Sequence, residues 1–383
     1  MSIINETIHS KIDMKVKVVE VDFMKKYMTL ILIFSFIIII NFFIIYNKKE
    51  NYIDDNYYVQ KNDSLLSMNL EQTAGAGDYK TVTQSKWPTE GYVFNSELSR
   101  CENGSMLSWD DTNKSVVVSG NISDKCYVYF DIYVVPTLTS YIKSLYTGTQ
   151  GENNLYFHNG TLTNDANDNS YRYASADVNV NNYVCFGSSE SPCPENNLYR
   201  VIGVFEGKVK LMKYSSIGDM YWDDTSSYVW KTASLNTYLN GTFLNSLGNY
   251  SSKISTSIWS ASEISGGIDD NIKNIFNKEM SDTAVKISAK VGIVYISDLG
   301  YATEPINWVG NGWKKYEVGC FGDFYGWTIT SEGGGLAWYG NRGTYTNGFV
   351  DLDLHLVRPT FYLNSDVSYI SGTGAKNDPF IIN

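Results

Sequence analysis

The stretch YRVIGVFEGKVKLM at 199–212 sets how the larger part of this chain is read: two apolar runs flank a Glu206-Gly207 pair. Val, Ile and Phe favour extended backbone, and an acid followed by glycine accepts the positive φ angles of a tight turn. The pattern predicts a β-hairpin. On its N-terminal side, TLTSYIKSLYTG at 137–148 carries Leu138, Tyr141, Ile142 and Leu145 at helical spacing behind Pro136. On its C-terminal side, SLNTYLNGTFLNSL at 234–247 puts Leu235, Tyr238, Leu239, Phe243, Leu244 and Leu247 on one helical face. Gly248 is placed to cap that helix, and Gly241 weakens it.

Farther on, KVGIVYISDLGYA at 290–302 reads as a strand leading into a region rich in glycine and tryptophan, with Trp308, Trp313, Trp327 and Trp338. In VDLDLHLVRPTFYL at 350–363, Leu352, Leu354 and Leu356 alternate with Asp351, Asp353 and His355, which predicts a strand with one wet face.

The N-terminal third is organised differently. Residues 68–135 hold strand-like YKTVTQ, SVVVSG and CYVYFDIYVV between turn-rich segments, the pattern of a small β-sandwich. At this size its core is marginal, so a covalent staple would matter. The five cysteines supply one: their spacing pairs Cys101 with Cys126 and Cys185 with Cys193, and leaves Cys320 over. Residues 48–67 are polar and acidic without periodicity and read as a tether. Before them, YMTLILIFSFIIIINFFIIYN at 27–47 is uncharged and flanked by Lys25-Lys26 and Lys48-Lys49. As a helix it would rise about 30 Å, the thickness of a bilayer core.

That run exceeds the apolar core of a secretory signal, and no small-x-small cleavage site follows it, so it predicts a permanent signal-anchor. Lysines are more numerous ahead of it, at 11, 15, 17, 25 and 26, which places 1–26 in the cytoplasm and 48–383 outside. A type IV pilin would carry a glycine before the helix and a glutamate inside it, and both are missing. The net charge of −11, without a basic cluster beyond the membrane flanks, argues against nucleic acid as a partner.

The ordered set LYRVIGVF, SLNTYLNGTFLNSL, VGIVYISDLGYA, GWTITS, AWYG and LVRPTFYLNS resembles a domain family of unknown function in surface proteins of low-GC Gram-positive bacteria. Its members resemble the C-type-lectin-like fold, in the branch that includes the formylglycine-generating enzyme. The resemblance covers residues 137–383 and implies a C-type-lectin-like domain over 136–383, with twisted antiparallel sheets and one or two helices. The expected fold class is thus α+β: transmembrane helix, small β-sandwich, then lectin-like domain. The resemblance also implies that Trp327 sits on the strand before a variable loop and that Arg358, ahead of Pro359, is structural.

Departures from the family shape the functional expectation. Glu304-Pro305-Ile306-Asn307-Trp308 interrupts the calcium-dependent sugar motif with an isoleucine, and the C-terminal cysteine pair of the formylglycine-generating enzyme is reduced to Cys320. A thiol enzyme would have to use Cys320 with His355 and Asp351 or Asp353, a polar stripe that a solvated strand face explains equally well. The acid pairs Asp223-Asp224, Asp269-Asp270 and Asp351 with Asp353 lack the spacing of a calcium loop, so no cofactor is expected, calcium being the one to test. In EGGGLAWYGNRGTYTNGFV at 332–350, Trp338, Tyr339, Arg342 and Tyr345 lie among glycines and asparagines. Aromatic and arginine anchors in a solvent-facing loop suit recognition of an extracellular glycan or protein. The expectation is a non-catalytic surface-binding or adhesion protein. Its alternatives are a structural envelope or pilus-type subunit and a degenerate thiol enzyme.

Overall fold

The computed structural model describes residues 17–19 and 66–383, except 84–86, 89, 122, 311, 315–318, 323, 342 and 343. The apolar run 27–47 and residues 48–65 of the expected tether 48–67 lie outside the described residues; Leu66 and Ser67 are not tether but the start of the strand Leu66–Glu71, where Leu66 packs against the buried cluster. Among the described residues no helix is long and apolar enough to cross a membrane. The fold is mixed α+β and mostly β, in two compact units that divide at Val134 and Val135.

In the first unit, Leu66–Glu71 lies parallel to Cys126–Ile132, between Tyr79–Val82 and Tyr92–Cys101. A second sheet pairs Met106–Asp110 with Ser115–Ser119. Lys17–Val19 runs parallel to the outer side of Ser115–Ser119. Met68, Leu70, Trp87, Val116, Val128 and Phe130 form one buried cluster, with Phe94, Leu107 and Trp109 packed against it. Cys101 and Cys126 face each other across the Tyr92–Cys101 ladder and are disulfide-bonded.

The second unit is built on the hairpin. Leu198–Phe205 and Lys208–Lys213 pair around Glu206 and Gly207, whose φ angles of 49° and 77° are those of a tight primed turn. Both strands are almost wholly buried. They lie in the middle of a nine-stranded sheet, with Thr360–Tyr362 beside Lys208–Lys213 and Tyr183–Cys185 beside Leu198–Phe205. The second disulfide, Cys185 to Cys193, closes the loop between Tyr183–Cys185 and the hairpin.

Thr137 caps the helix Leu138–Ser144 by accepting from Ser140 N at 3.1 Å. The 234–247 helix forms with a π-helical segment, Leu239–Phe243, that contains Gly241. Leu235, Leu239 and Phe243 are buried on its inner face. The 290–302 stretch is not one strand: only Val291–Gly292 is extended, and Ile296–Gly300 is helical. Asp298 accepts from Tyr295 N at 2.9 Å, and Glu279 accepts from Ile296 N and Ser297 N, so two carboxylates satisfy the orphan amides of a helical first turn.

The same place holds the charges of the core. Lys210, on the hairpin, meets Asp298 at 2.5 Å with both side chains buried, and its ammonium lies over the Tyr295 ring. Removing one partner strands a buried charge, so Asp298→Asn is expected to cost about 3–5 kcal/mol in chemical denaturation. Glu279 is enclosed, and burial pushes its carboxyl up to about 7 from an ordinary value of 4.5. The folded protein therefore holds this proton more tightly than the unfolded chain, and the group's contribution to stability declines as pH rises through that window. Thermal melting from pH 5 to pH 8 should show the wild type losing stability relative to Glu279→Gln; a difference independent of pH would contradict this assignment.

Candidate functional site

The segment 332–350, expected as an exposed loop, is instead the greater part of a three-stranded sheet made of Tyr325–Gly333, Leu336–Asn341 and Thr344–Phe349. Gly333, Gly334 and Gly335 all take positive φ and make its first turn. Trp338 is buried and donates from Nε1 to Ile264 O at 2.9 Å, so it holds the core. Tyr345 is half-buried against Trp313. Arg342 lies outside the described residues. Tyr339 is half-buried and stacks on His355 with 3.5 Å between ring centres.

His355 is where the structure departs furthest from the pattern. Only His355–Leu356 and Thr360–Tyr362 are extended in the 350–363 stretch, and the expected wet face is reversed. His355 is 6% exposed, whereas Leu352 and Leu354 are 70% and 49% exposed. The cause is a turn in which polar groups bind inward: Phe349 N donates to Asp353 Oδ2 at 2.7 Å, Asp353 N to Phe349 O, and the Ser226 hydroxyl to Asp351. Val350 is held on both sides, through its N–H to Gly335 O and its carbonyl from Asp223 N. The leucines have nowhere to go but out, and Phe349 beside them is 51% exposed.

The imidazole sits among Tyr325, Trp327 and Tyr339. Its Nδ1 is 3.0 Å from the Tyr325 hydroxyl, and Trp327 meets it edge-on. Its Nε2 has no hydrogen-bond partner among the described residues. A Cβ on Gly348 would stand 3.1 Å from that nitrogen and from Asp353 Oδ2, so the ring and the carboxylate close tightly around this glycine. Burial lowers the His355 pKa, opposed by Asp353 and Asp219, which favours the neutral ring. Trp327 is fully buried and donates to Met220 O, while Arg358 lies over the Phe324 ring.

Cys320 does not join this group. Its thiol is buried and donates to Tyr173 O at 3.3 Å, and its carbonyl accepts from Arg200. The acid pairs are occupied too. Asp223 accepts from Ser234 N, Thr225 and Ser227 N, Asp269 from Asn271 N and Asn274, and Asp270 pairs with Lys314. No three acidic, histidine or cysteine side chains converge as metal ligands among the described residues.

The residues that sequence reasoning passed over are therefore Phe349, Leu352 and Leu354, an exposed apolar turn rather than a loop of tyrosines. No known protein family, curated protein or solved structure matches this chain. The Cys320 thiol, pushed up to about 12 by burial, should resist iodoacetamide at pH 8 in the native protein and react once it is unfolded; rapid native alkylation would restore the thiol as a candidate nucleophile.

Proposed function

We propose that this chain is a membrane-anchored bacterial surface protein that binds an extracellular glycan or protein without catalysis, through the C-type-lectin-like domain that its motifs resemble. The observation that carries the reading is the turn at 349–354. Its apolar side chains face solvent while its backbone and acids are fixed from within, which is a rigid, preformed contact surface. The buried thiol and enclosed imidazole support binding over thiol chemistry. Phe349 offers a ring that stacks on sugars or packs on protein, and Leu352 and Leu354 add apolar area beside it.

Glycan and peptide arrays probed with the full-length protein test this. Leu352→Ser with Phe349→Ser should abolish capture and leave the melting temperature nearly unchanged, because exposed side chains contribute little to folding. Capture that survives the double variant removes the turn from the proposal. Absence of any binder, together with ordered self-assembly, would favour the structural subunit.

Anchorage through 27–47 with residues 1–26 inside the cell places Lys17–Val19 and Ser115–Ser119 on opposite sides of the bilayer, so the anchor and their pairing exclude one another in a single molecule. A Lys17→Cys variant on intact cells should be protected from a membrane-impermeant thiol reagent. Labelling there would show residue 17 outside and end the proposed orientation.

A further inference from the structure

Lys210 is 1% exposed, within the buried strand Lys208–Lys213. A lysine ammonium carries three N–H donors, yet among the described residues Nζ meets one hydrogen-bond acceptor, Asp298 Oδ2 at 2.5 Å. Aromatic rings stand around it otherwise. Nζ lies 4.3 Å from the centre of the Tyr295 ring and 5.4–5.5 Å from those of Tyr362, Trp259 and Phe205. Burial lowers the Lys210 pKa, opposed by Asp298, so the amine stands nearer its neutral, nucleophilic form than a lysine in water does.

The carboxyl is as closely held as the amine. The Asp298 side chain is 2% exposed, and its Oδ2 also accepts from Tyr295 N at 2.9 Å. Glu279 accepts from Ile296 N and Ser297 N, which fixes the turn that presents Asp298. An amine and a carboxyl are thus in contact, out of water, on backbone secured from both sides. Confinement of this kind gives intramolecular reactions effective concentrations of about 10⁵ M or more. Exclusion of water also favours a condensation over its reversal.

We propose that the folded protein joins Lys210 to Asp298 by an isopeptide bond between Nζ and Cγ, with loss of water. The buried ion pair is the reactant state of this step. Two protons pass from Nζ to Oδ2 along their contact, and the nitrogen lone pair forms the Nζ–Cγ bond. The Cγ–Oδ2 bond breaks and Oδ2 leaves as water; Nζ keeps one proton, and Oδ1 becomes the amide carbonyl. The Tyr295 N–H steadies negative charge on Oδ2 as it builds. No oxidant, reductant or second substrate is consumed, and two buried charges become one neutral amide. The bond ties the hairpin to the short helix across 88 positions of sequence, a covalent closure that restricts the unfolded chain as a disulfide does. It stands whether or not the 349–354 turn captures a macromolecule.

The test is the mass of the full-length protein, extracted in detergent, reduced and denatured. It should be lighter than its sequence by one water, and a proteolytic digest should contain a branched peptide joining the Lys210 side chain to that of Asp298. Lys210→Met and Asp298→Ala should each remove both signs. Wild-type protein at its full sequence mass overturns the proposal, and so does a lost water that survives Lys210→Met or maps to other residues. Should either variant fail to fold, the wild-type digest decides alone, since mass and branch point are read on denatured protein.

Discussion

The Lys210–Asp298 pair ties the central hairpin to the short helix Ile296–Gly300, and the packing of the second unit follows from where that contact falls. A lysine in the middle of a buried strand is costly unless a carboxylate reaches it, so the helix must present Asp298 at one height only. With Asp298 there, its second task is fixed: the same oxygen that meets Lys210 accepts from Tyr295 N and starts the helix. Glu279 serves the next amides of that turn and takes a hydrogen bond from Thr330 on the neighbouring sheet. Charge, helix start and sheet position are thus coupled through a few atoms.

Arg172 and Arg200 repeat the logic nearby. Arg172 meets Asp168 at 2.5 Å and is surrounded by the rings of Phe205, Phe276 and Tyr301. Arg200 donates to Asn182, Tyr183 and the carbonyl of Cys320, tying the hairpin to segments distant in sequence. These cations fix which elements adjoin, a task a purely apolar core performs loosely.

Local pattern made much of the fold legible. Glu206-Gly207 called for a turn with positive φ, Pro136 and Gly248 marked a helix start and a helix end, and the cysteine spacings announced two bridges. Two of the misses share a cause, the side to which a polar residue turns, while the third, the 332–350 loop that forms strands, came from glycines that make its turn rather than an open loop. Asp298 in an apolar stretch looked like a strand residue until Lys210, 88 positions away, gave it a partner. Alternation at 351–356 was read correctly as period two but with its phase reversed, because only the contacts of Asp351, Asp353 and His355 decide which set faces inward.

The parallel pairing in the first unit has a mechanical meaning. The four-stranded sheet of that unit begins in the chain on Leu66–Glu71 and ends on Cys126–Ile132, which lie side by side in register from Leu66 opposite Cys126 to Leu70 opposite Phe130. A pull applied at Leu66 and Ile132 drags these neighbours past one another, so the bonds between them are strained together rather than opened one by one as in a peeled hairpin. The Cys101–Cys126 bridge also shortens the length that can be drawn out, because the chain between those residues is closed into a loop. Between those two points the sheet resists stretching through the shear of a parallel pair rather than through the size of its core.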